Sequence, residues 1–418
     1  MGIGTFVNQS AQPAAVKAHR NRTSIGDLIL IAAVIALGIF GLLMLYSASA
    51  DFSLRNYNSP TYMFNKQLLW VAIGTIIAIL VSRIDYHQWQ RIALPLMGLT
   101  IAMLIAVLLI KDVRNGAVRT LFGGSIQPSE MAKLATILYL SVWLYSKRDS
   151  MHDVQLGLIP LAFILGGIGG LIYLEPDLSA AVTIFILGGL LFFLAGGDLR
   201  QIILFCIVAL VAGWIVVQLS STGRARLGSY LAGLKDPLKS SDHVLWSLES
   251  VYKGSWFGVG IGNATTKLIG LPFAATDSIF AVIVEELGLL GALMLISLYG
   301  IVLWRGLKIA AKAPDMLGAV LAAGLTFWIM IEAIINMAMM VGLLPVAGNA
   351  LPFVSAGGSN LISSLTAVGI LLGISRQSGK KAPAETEERR SYSASVDLRR
   401  RDRRRGVSRT RRPASHQR

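Results

Sequence analysis

Residues 29–46 read ILIAAVIALGIFGLLMLY. No charge interrupts them, and at 1.5 Å per residue they form a helix close to the ~30 Å thickness of a bilayer's hydrocarbon core. Nine further apolar runs follow, near 68–84, 92–110, 130–146, 156–174, 179–196, 201–219, 278–304, 316–340 and 359–375. With the first span drawn at 27–47, the chain reads as an all-α, polytopic membrane protein of about ten transmembrane helices. Its one long connection, 220–277, forms a large extracytoplasmic loop.

Composition agrees. Hydrophobic residues make up 54% of the 418 and charged residues only 15%, against roughly 25% charged in soluble domains. A large soluble domain is excluded. Lys17, Arg20 and Arg22 precede the first run, and Ser47-Ala48-Ser49-Ala50 mimics a signal cleavage site. The run is longer than a usual signal core and follows a long polar leader, so an uncleaved first span is the expectation. The lone Cys206 makes no internal disulfide, and the five histidines show no metal-ligand spacing.

Charge sets the orientation. Arg83, Arg91, Lys147, Arg148, Arg200, Arg305, Lys308 and Lys312 fall in alternate connections, on the same side as the basic tail. Cationic short loops mark the cytoplasm, which puts both termini there. The domain reading is a cytoplasmic leader at 1–26, a transmembrane domain at 27–376 and a basic, disordered cytoplasmic tail at 377–418. The net charge is +15. Much of it sits in the tail, which suits anionic lipid headgroups; no nucleic-acid recognition fold accompanies it. One outer connection, 111–129, carries Lys111, Arg114 and Arg119, a cluster suited to an anionic ligand.

Ionisable groups inside spans are costly and face a cavity or a partner. Glu130 and Lys133 lie one turn apart on one helix face. Glu175-Pro176-Asp177 separates two spans. Asp277 precedes the eighth span, which also holds Glu285 and Glu286, and Glu332 and Asn336 share a face of the ninth. The topology brings Glu130, Asp177, Asp277, Glu332 and Asn336 towards one outward-facing hydrated cavity. Each has a bland counterpart: a helix cap for Asp277 and Asp177, a structural ion pair for Glu130 and Lys133, hydrogen bonding between helices for Glu285 and Glu286. The segment Gly254-Ser255-Trp256-Phe257-Gly258-Val259-Gly260-Ile261-Gly262 follows no strand, so it is no dinucleotide fingerprint. Its glycines suit tight turns and close backbone packing.

Four motifs are similar to those of the SEDS family (shape, elongation, division and sporulation; FtsW, RodA and SpoVE). They are Gln127-Pro128-Ser129-Glu130-Met131-Ala132-Lys133-Leu134; Glu175-Pro176-Asp177-Leu178; Thr276-Asp277-Ser278-Ile279-Phe280 running into Glu285-Glu286-Leu287-Gly288; and Leu351-Pro352-Phe353 through Ser355 and Gly357-Gly358-Ser359. The leader and long basic tail look most like the cell-division branch. The resemblance implies a peptidoglycan glycosyltransferase that polymerises lipid II into polyprenyl-linked glycan outside the membrane, in cell division or shape maintenance. It implies Asp277 as the catalytic carboxylate, and Glu130 and Lys133 in the central cavity. It also implies a class B penicillin-binding protein as partner, with divisome or elongation proteins and membrane lipids around it. Asp177, Glu285, Asn336 and Ser355 join the expected cavity. Arg119, Lys267 or a divalent cation such as Mg2+ or Mn2+ would balance the leaving pyrophosphate. The chain departs from the pattern at Ala275, Ser278, Thr120, Glu175, Trp246, Ala347, Ala356 and Asn360. A lipid-precursor flippase or transporter and a non-catalytic division scaffold are the alternatives.

Overall fold

The computed structural model describes residues 25–110 and 127–378. The leader, the segment with Lys111, Arg114 and Arg119, and the tail from residue 379 lie outside the described residues. Among those described there are thirteen α-helices and no strand: α1 (Ile25–Tyr57), α2 (Tyr62–Ser82), α3 (Trp89–Ile110), α4 (Pro128–Ser146), α5 (Leu158–Leu174), α6 (Leu178–Leu194), α7 (Leu199–Leu219), α8 (Ser221–Lys235), α9 (Asp242–Gly254), α10 (Thr266–Ile269), α11 (Ile279–Ala311), α12 (Met316–Met340) and α13 (Gly358–Ser378). Each of the ten apolar runs falls on one helix of the set α1–α7 and α11–α13. Seven described helices are long and apolar enough to cross a membrane. Helices α5 and α6 have 17 residues each, and the 19-residue α4 opens with Glu130 and Lys133. The chain is a multi-pass membrane protein.

Helices α4, α6, α11, α12 and α13 form the inner bundle, with Ile137, Leu191, Leu325 and Trp328 at 0–1% exposure in its core. Small residues let helices approach, which is how helices pack where lipid supplies no hydrophobic drive. A Cβ on Gly369 of α13 would sit 2.6 Å from the carbonyl of Ala78 on α2. Helix α7, by contrast, keeps Ile207, Leu210 and Trp214 exposed, as a lipid-facing helix does.

The connection 220–277 is not the structureless loop that its polar, glycine-rich composition suggested. It folds into α8, α9 and α10. Ser220 caps α8 by accepting from the Gly223 N–H at 3.1 Å. Helix α9 buries Val244, Ser247, Ser250 and Gly254, a helical stripe that packs on α11. Its buried residues are mostly small and polar, so hydropathy alone did not reveal them.

Helix α11 breaks at Gly288, whose φ is +68°. The break frees backbone groups that lipid cannot satisfy, and the glycine segment takes them up. The N–H groups of Val259 and Gly260 donate to the carbonyls of Glu285 and Glu286 at 2.9 and 3.0 Å. The N–H groups of Leu289 and Leu290 donate to Ser255 and Trp256 at 3.0 and 3.3 Å. Only glycine allows this approach: a Cβ on Gly258 (φ +78°) would lie 2.1 Å from the Glu286 carbonyl oxygen. Gly258→Ala is therefore expected to cost more than ~1 kcal/mol, read as a lowered melting temperature in detergent. Gly300→Ala, where a Cβ meets nothing within 4 Å, should be neutral or stabilising by up to ~1 kcal/mol.

Candidate active site

The turn before α11 carries Asp277, and three bonds from α12 and the connection after it hold the backbone of this turn. Asn336 of α12 donates from Nδ2 to the Asp277 carbonyl at 2.8 Å. Ser355 donates from Oγ to the Thr276 carbonyl at 2.6 Å. The Ala356 N–H donates to the Ala275 carbonyl at 2.9 Å. Asp277 is half-buried. The residue at the N-cap position of α11 is Ser278, one place further on.

Ser355 is itself fixed. Its Oγ accepts from the Leu351 N–H at 2.8 Å, and its carbonyl accepts from Gln67 of α2 at 3.1 Å. Asn336 also donates to the Asn349 carbonyl at 2.6 Å, and Asn349 donates to the Glu332 carbonyl at 3.0 Å. Asn336 and Ser355 thus do join Asp277, as scaffolding for its turn.

One turn deeper along α12 lies a buried charge cluster. Lys133 Nζ donates to Glu130 Oε1 at 2.8 Å and makes a short contact with Glu332 Oε1. Asn360 of α13 donates to Glu130 Oε2 at 2.9 Å and to Glu332 Oε2 at 3.2 Å. The Trp328 indole N–H donates to Glu332 at 2.8 Å. The expected Glu130–Lys133 pair is therefore part of a larger set: two carboxylates share one ammonium, and the Asn360 amide and Trp328 indole meet their remaining lone pairs. Glu332 was visible in sequence only as an intramembrane acid, and Asn360 only as a departure. No spacing signal tied either to Lys133.

The other expected residues sit elsewhere. Asp177 caps α6, accepting from the Ala180 N–H at 3.2 Å. It also accepts from Ser129 at 3.0 Å and Gln127 at 3.2 Å, which joins α6 to the start of α4. Glu285 accepts from the Thr265 N–H at 2.8 Å, from Ser250 at 3.3 Å and from the Thr266 hydroxyl. Lys267 pairs with Glu286 at 2.6 Å and donates to Ser47 of α1 at 3.0 Å. Lys267 and Glu285 thus fasten the α9–α11 connection to α1 and α11. Arg119 lies outside the described residues. Among the described residues, no three His, Cys, Asp or Glu side chains group to hold a metal ion. A divalent cation at this site would need most of its ligands from substrate phosphate and water.

Breaking a buried ion pair by removing one partner costs ~3–5 kcal/mol. Lys133→Met leaves two carboxylates facing each other, so a loss of that size is expected in thermal or denaturant melts. Adding Glu332→Gln should recover part of it. A double mutant no more stable than Lys133→Met would mean that Glu332 is not coupled to the lysine.

A family model for cell cycle proteins of the FtsW, RodA and SpoVE type matches residues 27–380. The probable peptidoglycan glycosyltransferase FtsW of Trichlorobacter lovleyi is 37% identical over 353 residues, covering 84% of this chain and 93% of that one. Stage V sporulation protein E of Bacillus subtilis is 36% identical, covering 84% and 97%. A chain in a solved peptidoglycan synthase complex superposes with a TM-score of 0.69 at 25% identity, over 84% of this chain and 98% of that one. The rod shape determining protein RodA of Thermus thermophilus shares the fold, with a TM-score of 0.62 at 22% identity over 84% and 97%. The apolar runs, the four motifs and the helical bundle have one common account: the chain belongs to the FtsW/RodA/SpoVE family of cell cycle proteins.

Proposed function

We propose that this chain is a peptidoglycan glycosyltransferase that polymerises lipid II, with Asp277 as general base. One observation supports Asp277 over the other acids of the motifs and spans. Glu130, Asp177, Glu285, Glu286 and Glu332 are all buried, at 0–6% exposure. Asp277 is half-buried, on a turn whose backbone is fixed. Solvent reaches it, and its backbone position is defined.

The chemistry needs little else from the protein. The acceptor sugar hydroxyl attacks the anomeric carbon of a lipid-linked muramyl donor. Asp277 takes the hydroxyl proton as the new C–O bond forms. The bond from the anomeric carbon to the polyprenyl pyrophosphate breaks, and the pyrophosphate leaves with the electron pair. A single displacement inverts the anomeric centre. Positive charge near the leaving group would lower the barrier. Lys267 is engaged by Glu286, which leaves Arg119 or a divalent cation such as Mg2+ or Mn2+ as the proposed source. A site inside a lipid-facing bundle suits substrates whose tails stay in the membrane.

The proposed setting is the bacterial cytoplasmic membrane, with the Asp277 side outward and both termini cytoplasmic, supported by the basic residues in alternate connections. A class B penicillin-binding protein is the proposed partner, supported by the likeness to a chain of a peptidoglycan synthase complex. Purified protein, with and without that partner, should convert purified lipid II into glycan. Asp277→Asn is expected to lower the rate at least ~100-fold with an unchanged melting temperature. Near-normal glycan synthesis by the folded mutant would remove Asp277 as the base.

A further inference from the structure

His243 on α9 reaches across to the turn that carries Asp277. Its Nε2 lies 2.7 Å from the Ser278 hydroxyl and 3.0 Å from the Pro272 carbonyl. Ser278 in turn donates from Oγ to the Pro272 carbonyl at 2.7 Å. A carbonyl only accepts, so the arrangement requires the proton on Nε2. The imidazole N–H is then shared between the Pro272 carbonyl and Ser278 Oγ, and Ser278 donates to Pro272. Burial pushes the imidazole below its ordinary value, and Arg226 on α8 adds to this against the opposing hydrogen bond to Pro272. Burial and Arg226 thus favour the neutral ring, whose one proton suffices for these bonds.

These bonds join the two ends of the 272–278 turn. Between them, Phe273 adopts a φ of +52°, a left-handed conformation that costs a bulky residue energy and persists only where its surroundings hold it. The His243 ring lies beside the Phe273 ring, with centroids 6.0 Å apart. Asn336 and Ser355 fix the Asp277 and Thr276 carbonyls from the bundle side. His243 fixes the next residue, Ser278, from the α9 side. Asp277 is thus held from both directions.

We propose that His243, acting through Ser278, is a positioning residue that sets the orientation of the Asp277 carboxylate for proton abstraction. This rests on the reading of Asp277 as general base. His243 touches no reacting atom; it acts by locking the turn.

The test compares kcat and KM for lipid II polymerisation, with melting temperatures, in full-length protein. His243→Phe keeps a ring and loses the donor. Ser278→Ala removes the link to Pro272 and disturbs packing least. Both are expected to lower kcat roughly 10- to 100-fold, the scale of a small misplacement of a catalytic group, with KM within about twofold. The double mutant should be no slower than the slower single. His243→Gln, whose amide can still donate, should regain most of the rate. A folded His243→Phe or Ser278→Ala protein with wild-type kcat would overturn the inference. So would a deficit traced wholly to KM or to the folded fraction. Should His243→Phe fail to fold, Ser278→Ala and His243→Gln decide the matter. Asp277→Asn separates the two readings. If it is inactive while the His243 and Ser278 variants turn over normally, only the positioning role falls; if it is active, both fall.

Discussion

The exchange of backbone hydrogen bonds at the Gly288 break is the constraint on which the outer half of the molecule depends. Helices α11 and α12 are packed neighbours joined by a short connection, so their inner ends are level. A straight α11 would place Asp277 ~51 Å from Ala311, at 1.5 Å for each of the intervening residues. Asn336 lies only ~30 Å along α12 from Met316. Yet Asn336 bonds the Asp277 carbonyl at 2.8 Å. The break resolves the difference by letting the 279–287 segment depart from the helix axis. Residues 255–260 make that possible by pairing the backbone groups it would otherwise orphan. The same junction directs Glu285 towards Thr265 and Thr266 and Glu286 towards Lys267 and Ser47. Glu285 and Glu286 thus serve as fasteners between elements.

What the sequence showed clearly was what lipid enforces. A bilayer requires long apolar helices, so ten runs were visible, with ends uncertain by several residues. Helix α1 continues to Tyr57, ten residues past the expected boundary, because hydropathy marks where lipid ends and not where backbone bonding does. Glu130 and Lys133 were legible because a spacing of three puts them on one face. Their partners Glu332 and Asn360 come from α12 and α13, and one sequence holds no record of which distant helices meet. The α8–α10 region was hidden for another reason. Its buried stripe runs through Ser247 and Ser250, and hydropathy reads serine as solvent-facing.

The two polar layers do different work. In the inner layer, Glu130, Lys133, Glu332 and Asn360 tie α4, α12 and α13 together. A buried cluster like this adds little net stability compared with a well-packed apolar core, but it penalises any arrangement that leaves one member unpaired. It fixes which faces of three helices meet. In the outer layer, Asn336, Asn349 and Ser355 bond to backbone carbonyls, and so hold loops where helical bonding has ended. Asn349 spans the layers, because it donates to the carbonyl of Glu332 itself.

That coupling bears on the positions where the chain departs from the family pattern. Several of them surround Asp277 or the lysine cluster, and the structure supplies bonds at those same places. Ser278 is held by His243. The backbone of Ala356, which needs no particular side chain for the purpose, bonds to Ala275. Asn360 offers its amide to both carboxylates beside Lys133. At Ser278, Ala275, Ala356 and Asn360 a donor or a close backbone contact is kept, so the turn that carries Asp277 can keep its placement while the side chains around it change. Asp277 has no such latitude. In the proposed mechanism it would accept a proton at a defined point, and neither a backbone group nor a neutral amide could stand in for the carboxylate.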